Sequence, residues 1–62
     1  MCLSTAYAVK EQEAKVVCEN VSKVYQEDGS IVLVDLFGEE IKVVGLIKMI
    51  DLTAGKIEIT VE

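Results

Sequence analysis

Residues 56–62, KIEITVE, set Ile57, Ile59 and Val61 against Glu58, Thr60 and Glu62. A period of two places one series on a dry face and the other in water, the mark of a half-buried strand. No stretch of the chain offers a comparable 3.6-residue period or a convincing helix cap, so this short segment decides the fold class. The chain is expected to be all-β, with at most a helical turn near Glu11 to Lys15.

Upstream of that strand the same pattern recurs. TAG (Thr53 to Gly55) joins it to LIKMIDL, Leu46 to Leu52, which follows a short strand at Ile41 to Val44. FGEE turns the chain into that strand from IVLVDL, Ile31 to Leu36, the most apolar run and the one expected at the centre of the sheet. Asp28-Gly29-Ser30 is a hairpin signal, because Asp-Gly suits two-residue turns that match strand twist. Before it, VSKVYQE (Val21 to Glu27) and Lys15 to Cys18 read as two separate short strands. Leu3, Thr5, Tyr7 and Val9 alternate with Ser4, Ala6 and Ala8 as a first strand. Proline is absent, and Gly29, Gly38, Gly45 and Gly55 punctuate the chain seven to ten residues apart. The expected architecture is a single small β domain over residues 1–62, a strongly bent antiparallel sheet or partly open barrel of about six to seven short strands.

A 62-residue domain with 52% hydrophobic residues holds more apolar material than a lone core can easily hide. Domains of this size bury only about 60% of their unfolded surface, so a homodimer is expected. Charged residues interrupt every later apolar run and no basic leader precedes the first, which predicts a soluble, cytoplasmic protein without a membrane span. Two cysteines fall short of a secreted disulfide framework. The net charge of −5 repels phosphate backbones and anionic lipid.

Histidine is absent, and with it the commonest metal ligand and general base. Catalysis is therefore not expected. The carboxylate pairs Glu11 and Glu13, Glu27 and Asp28, and Glu39 and Glu40 fall in expected turns and read as solvated residues, with oxygen ligation the alternative. Lys10, Lys15, Lys23, Lys42, Lys48 and Lys56 are isolated and no arginine accompanies them, so neither a phosphate clamp nor a basic stripe is visible. Tyr7, Tyr25 and Phe37 are too scattered for a base-stacking platform and are assigned to core packing. Cys18, behind Val16 and Val17, reads as a small buried hydrophobe, a disulfide to Cys2 being the alternative.

Cys2 differs because of its covalent neighbours. With Met1 removed, its α-amine and thiol can grip one metal ion in a five-membered chelate ring. With Met1 retained, the Met1 amine, the Cys2 amide nitrogen and the Cys2 thiolate form a run of donors, and the backbone of Leu3 is a further candidate. Amine and thiol must both lose protons, so binding should strengthen as pH rises through about 6 to 8. A planar nitrogen and sulfur set suits Ni(II) or Cu(II) better than tetrahedral Zn(II).

Three stretches, Met1-Cys2, LFGEE at Leu36 to Glu40 and IDLTAGKI at Ile50 to Ile57, resemble in order and spacing the CooT family of small nickel-binding proteins associated with carbon monoxide dehydrogenase maturation. The resemblance spans essentially the whole chain. It implies a homodimer of small β domains in which Cys2 is a Ni(II) ligand at or near the dimer interface, with carbon monoxide dehydrogenase or a related nickel enzyme as client. The family is also similar to proteins labelled RNA-binding, and a small-barrel RNA-binding or protein-interaction module is the alternative function. The acidic charge disfavours nucleic acid.

Overall fold

The computed structural model describes residues 3–62. Six strands form in chain order: β1 (Ser4–Lys10), β2 (Glu13–Glu27), β3 (Ser30–Asp35), β4 (Glu40–Val44), β5 (Leu46–Asp51) and β6 (Lys56–Thr60). They build one sheet in the order β4-β3-β2-β1-β6-β5. No helix is present among the described residues, and the expected helical turn near Glu11 is instead a hairpin. Glu11 and Gln12 both carry positive φ, 49° and 71°, as a two-residue turn matched to strand twist requires. Asp28 and Gly29 repeat that geometry in the β2–β3 hairpin, as the Asp-Gly pair foretells.

The sheet is mixed rather than antiparallel. β1 and β6 run parallel, Ala6 opposite Ile57 and Ala8 opposite Ile59, while every other neighbouring pair is antiparallel. The contact joins the first strand to the last, and local sequence pattern carries no information about such a pairing.

Lys15 to Cys18 and Val21 to Glu27 are not separate strands but parts of the 15-residue β2. Its first half pairs with β1 and its second with β3, the changeover being Val21, which faces Ser4 on one side and Asp35 on the other. Register slips twice against β1, between Val21 and Cys18 and between Cys18 and Val16, and once against β3, between Val21 and Lys23. Asn20, inside this stretch, has φ 57°. Bulges bend the strand that carries them, so these irregularities let one strand serve two half-sheets. Ser22, left without a register partner, sets its hydroxyl 3.2 Å from the Val34 carbonyl oxygen and 3.0 Å from that of Asp35.

β4 and β5 are the two edges of the sheet, yet only Gly45 separates them in sequence. Two residue steps of extended chain reach about 7 Å, so the sheet must roll until its edges meet at that corner. Gly45 sits against Thr60, and a side chain there would run into the Thr60 carbonyl oxygen. The roll encloses a core of Ala6, Cys18, Val21, Ile31, Leu33, Ile57 and Ile59.

IVLVDL is second from an edge, not central, although Ile31 to Val34 are all buried. Ile31 and Leu33 face the core. Val32 faces outward between Tyr25 and Lys42, its register partners on β2 and β4. Two diagonal contacts cross above it: the Tyr25 hydroxyl donates to Glu40 at 3.3 Å, and Lys42 Nζ lies 3.4 Å from Glu27. These long side chains shield Val32 through their stems, which is why an outward valine is fully buried. Core packing is thus corrected for Tyr25 and Phe37, both of which are exposed. Tyr7 is half-buried, its ring 5.7 Å from Lys56 Nζ.

Candidate functional site

Met1 and Cys2, the residues on which the metal reading rests, lie outside the described residues. Leu3, the third candidate donor, is held beside the β5–β6 turn. The Thr5 amide donates to the Gly55 carbonyl oxygen at 2.9 Å, and a Cβ at Gly55 would lie 3.5 Å from the Leu3 carbonyl oxygen, in ordinary contact with it. The turn itself is built by Asp51, whose Oδ1 accepts from the Thr53 and Ala54 amides, both at 3.0 Å. Gly55 closes it with φ 67°.

Ser4 stands at the lip of an apolar groove of about 220 Å³, opposite Val24, Ile50, Leu52 and Ile57. Leu52 is 80% exposed and Ile50 46%. Along edge strand β5, Leu46, Ile47, Met49 and Ile50 are all exposed as well. A long apolar sheet edge is a template for pairing with another chain, and soluble proteins normally blunt such edges with charge. Here Lys48 and Asp51 are the only charges in the strand.

The carboxylate pairs scatter. Glu11 and Glu13 occupy the β1–β2 hairpin, and Glu27 and Asp28 the β2–β3 hairpin, with Glu27 paired to Lys42. Glu39 ends the β3–β4 loop, and Glu40 begins β4 rather than lying in a turn. Among the described residues no three Cys, Asp or Glu side chains gather closely enough to hold a metal ion.

Cys18 is the free thiol of the described residues, buried in the core. Burial raises its pKa above 9.0, and the nearby charges of Asp35, Glu39 and Glu19 add to the shift. It packs as a small hydrophobe whose neutral form the surroundings favour.

Sequence reasoning placed a turn at FGEE but carried the strand before it through Leu36 and missed the part Asp35 plays in the loop. Asp35 Oδ1 accepts from the Phe37 and Glu39 amides at 2.8 and 2.9 Å. The Asp35 amide donates to the Glu39 carbonyl oxygen, and the Gly38 amide to that of Asp35. This lattice holds Phe37 83% exposed. A signal existed in the sequence, since Asp followed by Gly three residues later suits an Asx-stabilised turn, which leaves the intervening Leu-Phe without a strand to bury it.

Against known proteins, the family model for CooT, "CO dehydrogenase accessory protein CooT", matches residues 1–60. No curated protein matches the chain. The crystal structure of a "putative CooT" from Carboxydothermus hydrogenoformans superposes with a TM-score of 0.90 at 23% identity, over 98% of each chain. That likeness extends to the rolled six-stranded sheet as a whole. With its family model matched from residue 1 to residue 60, the chain belongs to the CooT family of CO dehydrogenase accessory proteins.

Proposed function

We propose that this chain is a cytoplasmic, homodimeric Ni(II) carrier serving CO dehydrogenase, and that Cys2 is its metal ligand. The thiolate supplies the anionic donor, and terminal backbone nitrogen, with Met1 or Leu3 adding a further backbone atom, supplies the rest of a planar set suited to Ni(II). No step of catalysis is assigned to it.

The observation that carries this reading is that Ser4, at the start of β1, lines a mainly apolar groove together with Ile50 and Leu52, both of which are exposed. A second copy covering that wall would bury the apolar edge and bring two chain starts toward one another. One ion could then be shared by two Cys2 thiolates. Membership of an accessory-protein family supports a carrier over an enzyme.

The test is a titration of reduced protein with Ni(II), followed by thiolate-to-metal charge-transfer absorbance, beside a Cys2→Ser variant. Saturation at one nickel per dimer, lost in Cys2→Ser while the dimer persists, is the expected outcome. Undiminished binding by Cys2→Ser would overturn the assignment.

A further inference from the structure

The geometry points to the β3–β4 loop as the surface on which the client enzyme docks, with Phe37 as the anchor entering an apolar pocket rimmed by Lys or Arg on CO dehydrogenase. This rests on the accessory role proposed above. Three observations lead to it.

The loop is a rigid display. Its four hydrogen bonds close on Asp35, and Gly38 at φ 86° allows the return to β4. Nothing in that lattice needs a large apolar side chain at its tip, yet Phe37 and Leu36 are there, 83% and 56% exposed. A preformed aromatic tip binds with little ordering cost, and interface anchors are commonly aromatic side chains seated in desolvated pockets.

Its surroundings are acidic. Glu39 and Glu40 follow Phe37 after the single residue Gly38, and Asp35 precedes it by two positions. No lysine lies between Val34 and Ile41. An apolar anchor with an anionic rim selects a pocket with a cationic rim, because like charges across an interface cost affinity and opposite ones speed encounter.

The loop also lies beside the chain start. Asp35 and Ser4 face the same residue, Val21, from opposite sides. Two strand spacings put their backbones about 10 Å apart. A client gripping Phe37 would therefore stand next to the segment that carries Cys2. None of the loop residues lines the groove under Ile50 and Leu52, although Val21 and Ser22, which do, pair and hydrogen-bond with Asp35, so docking would use a surface that adjoins the self-association groove without sharing its lining.

The experiment is isothermal titration of nickel-free CO dehydrogenase from the same cell with the wild-type dimer, Phe37→Ser, and a Glu39→Lys/Glu40→Lys double variant, at 50 and 300 mM salt. Sedimentation and nickel titration accompany each variant. Saturable wild-type binding, weakened at least tenfold by Phe37→Ser and by the charge reversal, and weakened by salt, is expected, with dimer and nickel binding unchanged. Equal binding by Phe37→Ser would overturn the docking proposal and leave the accessory role standing. No binding by the wild type would overturn both. Loss of the dimer in Phe37→Ser would assign the loop to self-association and refute the proposal.

Discussion

In a Gly45→Ala variant the new methyl group would be driven into the Thr60 carbonyl oxygen and would lie 3.2 Å from Ile59 Cγ2. Two kinds of relief exist. The backbone can shift and strain the packing around Ile59, which is fully buried; overpacking of that kind costs about 1 to 3 kcal/mol. Alternatively the Leu46–Thr60 pair can open, giving up one or two backbone hydrogen bonds at about 1 kcal/mol each. Both routes lead to a loss of about 2 kcal/mol, a large share of the roughly 3 to 9 kcal/mol expected for a domain of this length. Urea unfolding followed by circular dichroism, at matched protein concentration so that any self-association contributes equally, reads the loss directly. Gly29→Ala is the control: nothing lies within 4 Å, but φ is 79°, so only the backbone cost of about 1 kcal/mol should appear. If Gly45→Ala unfolds with the wild type, or if Gly29→Ala is the more damaging, the close approach at the seam is refuted.

Three other outcomes follow from particular contacts. Replacing Glu11 with Asn and Gln12 with Gly relieves two positive-φ side chains and should raise stability by about 1 kcal/mol, seen as a higher unfolding midpoint; no gain would refute the turn geometry. Burial, then the Asp35, Glu39 and Glu19 charges, raise the Cys18 pKa, so folding favours the neutral thiol; that contribution is intact below pH 9.0 and is lost as pH rises through the raised value. The wild type should lose more stability than Cys18→Ala as pH rises above about 9, and parallel losses would refute this. Leu52→Lys places a charge on an 80% exposed wall of the groove and should leave the fold intact while weakening self-association by at least about tenfold in sedimentation; an unchanged dimer would move the interface elsewhere.

What the sequence made readable was local. The alternation in KIEITVE put Ile57 and Ile59 in the core, and Asp28-Gly29 marked its hairpin, because both depend on residues a few positions apart. The continuity of β2 was hidden for a physical reason: bulges and a left-handed Asn20 erase the two-residue period between Cys18 and Lys23 while pairing continues. The parallel β1–β6 pairing was invisible because its partners stand some fifty positions apart, as with Ala6 and Ile57. IVLVDL misled about position, since its apolar run reflects burial on both faces, and the outer cover comes from Tyr25 and Lys42 rather than from another layer.

The surplus of apolar residues that first suggested a second subunit divides in the structure into places with different consequences. Ile31, Leu33, Ile57 and Ile59 are spent on the core. Along edge strand β5, Leu46, Ile47, Met49 and Ile50 are exposed, with Lys48 and Asp51 between them, and Ile50 and Leu52 line the groove that Ser4 also lines. Phe37 stands apart from that edge on a loop held by the Asp35 carboxylate. A broad edge and a single rigid tip ask for different partners, since an edge pairs strands and a tip fills a pocket. Leu52→Lys and Phe37→Ser should accordingly fail in different assays. A variant that lost both self-association and client binding from either single change would collapse the two surfaces into one.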